Sequence, residues 1–192
     1  MVNNEPDLKE LVNSFVIINR LNIPRLNILN LQLYVEHYVN EIVATQIGTP
    51  AQEEVKKYIT FPQKLRILKN MKILDEKQLK ILEILNKIRD EMVHELVLNP
   101  ESIDTKLKFI KFDFVYGWAF TNKEGEVVKK IIELKKIFKK IDNNLQKLSI
   151  STIIIIGLLY NAYKKMKNEE VSQFVDIIFD EHQKLKLIVR NI

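Results

Sequence analysis

Apolar residues recur along most of this chain at steps of three and four, the spacing that lines one face of an α-helix. The pattern predicts a first helix over 7–21, with Pro6 near its start and the Asn22-Ile23-Pro24 break after it. A second helix is expected over 25–47, stopped at Gly48. Thr49-Pro50-Ala51-Gln52 then reads as an N-cap, a proline at the first helical position and a glutamine three residues after the cap, so a third helix should begin there. Phe61-Pro62 interrupts or kinks it, and the chain continues through KLRILKNMKIL to Asp75, where DEKQ is a second capping box. From Asp75 one helix should run towards Leu98, ended by Asn99-Pro100.

The second half reads less uniformly. In KFIKFDFVYGWAF, residues 108–120, Ile110, Phe112, Phe114, Tyr116, Trp118 and Phe120 alternate at period two, which predicts an extended piece. Its aromatic stripe serves core packing or, beside lysines, the stacking of unpaired bases. Over 124–148 the positions Val127, Ile131, Leu134, Phe138, Ile141, Leu145 and Leu148 step by four and three, a heptad seam that predicts one helix wanting a partner. STIIIIGLLYNAY, 151–163, is shorter than the roughly 20 residues a bilayer span needs, so it is expected as a buried helix over 152–166 and not as a membrane segment. A last helix is expected over 169–190, opened by Glu169-Glu170 and turning Val171, Phe174, Val175, Ile178, Leu185 and Val189 inward. The expected class is therefore all-α.

Composition narrows the function classes. With 46% hydrophobic and 29% charged residues over 192 positions, the chain can bury a sizeable core. It contains no cysteine, which excludes disulfides, thiolate metal sites and cysteine nucleophiles and fits a reducing compartment. The acidic, polar start MVNNEPDLKE carries no export signal, so a cytoplasmic location is expected. The formal charge of +5 is uneven: residues 1–100 hold 13 Lys+Arg against 13 Asp+Glu, and 101–192 hold 17 against 12. A basic half attracts an acidic partner such as RNA, or simply forms a solvated lysine face.

Candidate chemistry gathers in IRDEMVHEL, 88–96. Asp90 and His94 are four residues apart, so on a continuous helix the carboxylate can hydrogen-bond one imidazole nitrogen and leave the other free to move a proton. Arg89 is five residues from His94, about 140° around a regular helix, so one helix does not converge all three. A second copy of the motif across a two-fold axis would bring arginine and histidine together. Arginine supplies a planar cationic fork for phosphate and histidine an acid or base near neutral pH, which suffice for metal-free RNA cleavage by 2′-hydroxyl attack. An Arg-[Asn/Asp/His]-x-x-x-His spacing is expected by chance only about 0.01 times in a chain of this composition. The simpler reading is a surface Asp-His pair beside an unrelated arginine. His37 and His182 pair with no other His and no Cys at a metal-ligand spacing, and no glycine-rich phosphate loop or Ser-His-Asp pattern is present, so neither a metal nor a cofactor is expected.

The run FPQKLRILKNMKILDEKQLKILEILNKIRDEMVHEL, 61–96, resembles the HEPN superfamily (higher eukaryotes and prokaryotes nucleotide-binding), whose signature is Arg, a polar residue, three variable residues and His. LYVEHYVNEIVATQI, 33–47, is similar to the long early helix of such domains, where Glu36 would be the supporting acid. The resemblance implies a HEPN-like up-and-down helical bundle over 1–120, with 121–192 a helical extension packed on it as one structural unit. It also implies a homodimeric endoribonuclease with Arg89, Asp90 and His94 as its catalytic set, of a kind found among toxins and phage-defence effectors, with an antitoxin or regulatory protein as partner. Asp90 stands where Asn is commoner, and Glu95-Leu96 after the histidine departs from the Arg-x-x-x-x-His-x-Tyr form of toxins paired with a minimal nucleotidyltransferase. The alternative within the family is a non-catalytic regulatory or protein-interaction module.

Overall fold

The computed structural model describes residues 8–20, 23–48, 52–94, 105–108, 112, 114–121, 127–141, 143–169, 173–179 and 185–191. Helices α1 (Leu8–Arg20) and α2 (Pro24–Ile47) fall where the periodicity puts them. Gly48 closes α2 at φ 71°, a left-handed conformation that a residue without Cβ adopts freely, and its N–H meets the carbonyls of Ala44 and Thr45. Helix α3 (Gln52–Tyr58) follows; the Thr49-Pro50 cap expected for it lies outside the described residues.

Phe61-Pro62 opens a new helix, α4 (Phe61–Asn70), in which Gln63 reaches back to accept the Thr60 backbone N–H at 2.8 Å. Helix α5 (Glu76–His94) starts at the DEKQ box as the sequence predicts. Asp75 Oδ1 accepts the Gln78 N–H and Gln78 Oε1 accepts the Asp75 N–H, both at 2.9 Å. Two orphan donors at the helix start are thereby satisfied reciprocally.

Extended structure is present where the aromatic alternation predicts it: strand β1 covers Val115–Thr121. Its partner corrects the expectation for the next segment. The heptad helix over 124–148 is not formed; strand β2 (Val127–Glu133) pairs antiparallel with β1, from Val115 opposite Glu133 to Thr121 opposite Val127. Helix resumes as the short α6 (Leu134–Phe138) and then as α7 (Asn144–Met166), where Asn143 Oδ1 caps the Gln146 N–H at 2.9 Å. The expected last helix over 169–190 is likewise replaced, by a second hairpin of β3 (Gln173–Phe179) and β4 (Leu185–Asn191). Both misread segments are rich in β-branched residues, VVKKIIE and QFVDIIF against LKLIVRN, whose χ1 stiffness suits a pleated, half-buried surface. The body of the molecule is helical, as the all-α expectation has it, with these two hairpins set against it.

Helix α7 lies along α2 and carries β3 on another side, while α1 packs on α2, α7 and the second hairpin. Enclosed in this way, α7 is apolar nearly all round: Leu148, Ile150, Ile153 to Ile156 and Leu159 are buried completely. It is the one helix among the described residues long and apolar enough to cross a membrane, and most of it is inside the molecule. Its buried hydroxyl on Thr152 bonds the Leu148 carbonyl at 2.9 Å, so the polar atom does not go unsatisfied. Gly157 allows close approach of β3, since a Cβ there would stand 3.4 Å from Val175 Cγ2. Tyr38 of α2 meets Tyr160 of α7 edge to face at 5.8 Å, and residues from α1 through β4 share one hydrophobic cluster.

Candidate active site

The motif residues sit where α5 crosses α2. The two helices run antiparallel: Arg25 in the first turn of α2 donates to the Met92 carbonyl near the end of α5 at 2.6 Å, and Gln32 meets Asn86 further along. Between them lies a chain of polar side chains. Gln32, only 2% exposed, uses its amide to donate to Glu36 Oε1 at 3.0 Å and to Asn86 Oδ1 at 3.2 Å. Asn86 donates in turn to Asp90 Oδ2 at 3.1 Å.

Arg89 closes this network. Its Nη2 reaches across to Glu36 Oε1 at 3.3 Å and its Nη1 to Asp90 Oδ1 at 2.7 Å, so the guanidinium is held between a carboxylate on each helix. The cross-helix reach follows from geometry, because helical side chains lean towards the N-terminus of their own helix and Arg89 therefore points back towards the level of Asn86. Side-chain exposures of 34% for Arg89, 33% for Glu36 and 48% for Asp90 leave the cluster accessible from one side. At that exposure the ion pairs contribute little to stability, about 0.2–1 kcal/mol each, and the arginine remains available to a ligand.

The supporting acid expected at Glu36 is thus in contact with Arg89. The expected Asp90–His94 contact is not made, because Asp90 gives one oxygen to Arg89 and the other to Asn86. His94 is exposed as the final residue of α5, and among the described residues no hydrogen bond or ion pair holds its ring. Within one chain, then, the structure assembles Glu36, Arg89 and Asp90 and leaves His94 apart. No family model matches this chain, and neither a curated protein nor a solved structure matches it.

Three members of the site escape a reading of the motif alone. Gln32 and Asn86 each stand four residues before an acid of the cluster, so the i,i+4 pairs Gln32–Glu36 and Asn86–Asp90 are the signal that would have found them. The third is Lys64 on α4, whose helix packs against both α2 and α5. Burial holds the Lys64 ammonium below its ordinary pKa, the nearby Glu36 carboxylate opposes that shift, and Lys56 adds to it. His37 is packed at the core edge, with its ring 5.0 Å from that of Tyr38; His182 lies outside the described residues. Among the described residues no group of three or more His, Asp or Glu side chains gathers to hold a metal ion.

Away from this site, burial raises the Tyr116 hydroxyl to about 12, and Asp176, buried in β3, accepts the Arg190 Nε–H at 2.8 Å and the Ile177 N–H at 2.9 Å. The Asp176 contacts tie the second hairpin together, and nothing in their arrangement opens to a ligand.

Proposed function

We propose that the protein is a metal-independent RNA endonuclease of HEPN type, acting as a homodimer in the cytoplasm. The observation that carries this reading is Arg89, a guanidinium kept partly exposed between Glu36 and Asp90, one turn before an exposed histidine on the same helix. In the reaction, His94 takes the proton of a ribose 2′-hydroxyl as its oxygen attacks the adjacent phosphorus. Arg89 stabilises the charge gathering on the non-bridging oxygens, the bond to O5′ breaks, and O5′ leaves with a proton. The products are a 2′,3′-cyclic phosphate and a 5′-hydroxyl.

Arg89 and His94 point about 140° apart around α5, so the active arrangement needs the histidine of one copy beside the arginine of another. Exposed apolar side chains support pairing along this edge: Leu26 and Leu33, seven apart on α2, and Val93, four after Arg89 on α5. A toxin or phage-defence role, with an antitoxin or regulatory protein as partner, follows from the family reading. The test is incubation of the purified protein and its His94→Ala variant with mixed RNA in excess chelator. Wild type should cut and leave cyclic phosphate ends; the variant should not cut, with helical content unchanged. Equal cutting by the variant would sink the assignment.

A second reading has its own observation. Asp90 is engaged by Arg89 and Asn86 and does not orient His94, which favours a non-catalytic interaction module whose polar network locks α2 to α5. On that reading Arg89→Ala lowers the unfolding midpoint, whereas a catalytic arginine is replaced at little cost to stability.

A further inference from the structure

Arg89 is the cation of the bonded cluster, and two carboxylates share it. Asp90 Oδ1 stands 2.7 Å from Nη1 and Glu36 Oε1 3.3 Å from Nη2, so these three side chains together carry an excess of negative charge. An anion approaching the exposed side of Arg89 meets that excess, and like charge opposes its binding. The two acids are held differently. Asp90 is the next residue on the same helix and moves with Arg89, whereas Glu36 belongs to α2 and its contact is the longer one.

Glu36 has a second hold that does not depend on the arginine. Gln32, four residues earlier on α2 and only 2% exposed, donates to the same Oε1 at 3.0 Å. The carboxylate therefore keeps its place when Arg89 leaves it, and the contact can be broken and remade by movement of the arginine alone. Little is lost in breaking it, since both side chains are partly exposed and an ion pair so placed is a weak one. A guanidinium has five N–H donors, of which Arg89 gives one to each acid. The rest of the fork can take hold of a phosphate oxygen as the Glu36 contact is given up.

We infer that Glu36 is an internal competitor for Arg89: it occupies the guanidinium in the free protein and is displaced from it when RNA phosphate binds. The identity of the anion rests on the ribonuclease reading above; the competition rests on the contacts among Gln32, Glu36, Arg89 and Asp90. This role is opposite to that of a supporting acid. Loss of a supporting acid weakens binding or cleavage, whereas loss of a competitor strengthens binding.

The test measures binding of a 2′-O-methyl RNA oligonucleotide, which cannot undergo 2′-hydroxyl attack, to the full-length protein by fluorescence anisotropy at fixed ionic strength. Glu36→Gln keeps the length of the side chain and an acceptor for Gln32 and removes the charge. It should bind the oligonucleotide about five- to tenfold more tightly than wild type, the size of one unit charge removed from beside the phosphate at the water-like end of the dielectric range. In the Arg89→Ala background the same substitution should bring only a small part of that gain, because the competition needs the arginine. A Glu36→Gln protein with wild-type helical content that binds no more tightly than wild type would overturn the inference. An equal gain in both backgrounds would overturn it as well, by marking a general effect of charge. If Glu36→Gln does not fold, the wild-type protein decides by nuclear magnetic resonance. The Glu36 side-chain carboxyl signal should move as the oligonucleotide is added; a signal that stays while that of the Arg89 Nε–H moves would contradict displacement. RNA cleaved by wild type, with Glu36→Gln binding and cutting less well, would overturn the competition and leave the ribonuclease reading standing. Tighter, Arg89-dependent binding by Glu36→Gln without cleavage by either protein would support the competition and remove the ribonuclease reading, and no binding by either would remove both.

Discussion

At the scale of single residues, the molecule links polar side chains of α2 and α5 to one another in a half-buried seam. Gln32 is the hinge of that seam, being nearly inaccessible and donating to both Glu36 and Asn86. Gln32→Ala should therefore cost about 1–3 kcal/mol, the value of a lost charge-assisted hydrogen bond to Glu36 together with the amide hydrogen bond to Asn86, measured by urea unfolding at neutral pH. A loss near zero would mean that water replaces the amide. Lys64 gives a prediction in pH. Its folded pKa lies below the ordinary 10.5, so between the folded value and 10.5 the unfolded chain binds more protons. Stability should rise with pH through that window as the destabilising charge is lost. Subtracting the Lys64→Met profile from the wild-type profile isolates this slope, with Glu36, Lys56 and Arg89 common to both; a flat difference would mean that the ammonium is no worse placed than in water.

At the scale of elements, the helices that the sequence made legible are those with punctuation. Asp75 and Gln78 mark the start of α5, Gly48 marks the end of α2, and the proline at 62 separates α4 from α3. Asp75→Ala should lower stability by about 0.5–2 kcal/mol, the value of an N-cap, and in doing so loosen the first turn of the helix that carries the motif; amide exchange at residues 76–79 checks this. Strand β1 was legible from its alternation, but its partner β2 and the second hairpin were not, for a physical reason. VVKKIIE places apolar residues in adjacent pairs that fit either a helix face or a strand, and only the neighbouring β1 decides between them. In the same way Val175 and Val189 satisfy a helical stripe on paper, yet stand opposite each other across β3 and β4. Arg89, Asp90, His94 and Glu36 could be picked from the sequence because the motif and one acid lie on two long helices. Lys64 could not be, since its relation to Glu36 exists only once α4 packs on α2 and α5.

At the scale of the whole molecule, one core helix organises everything else. Helix α7 is enclosed by α2, α1, α5 and the second hairpin, and this fixes α2 as the platform on which α5 presents Arg89. The seam of Gln32, Asn86 and Arg25 then sets the register of α5 along α2, so Arg89 faces Glu36 while His94 stays exposed at the helix end. A single chain built in this way holds half of the proposed chemistry. The other half has to arrive on a second copy, and that requirement is open to a direct trial. Arg89→Ala and His94→Ala should each be inactive alone. In a dimer carrying one of each, one site loses both residues and the other keeps both, so mixing the two variants and allowing subunits to exchange should restore RNA cleavage in excess chelator, to about a quarter of the wild-type rate for random pairing of symmetric dimers. Recovered cleavage is the result expected if Arg89 and His94 act together across two copies; an inactive mixture, with exchange verified and wild type active, would contradict the shared site.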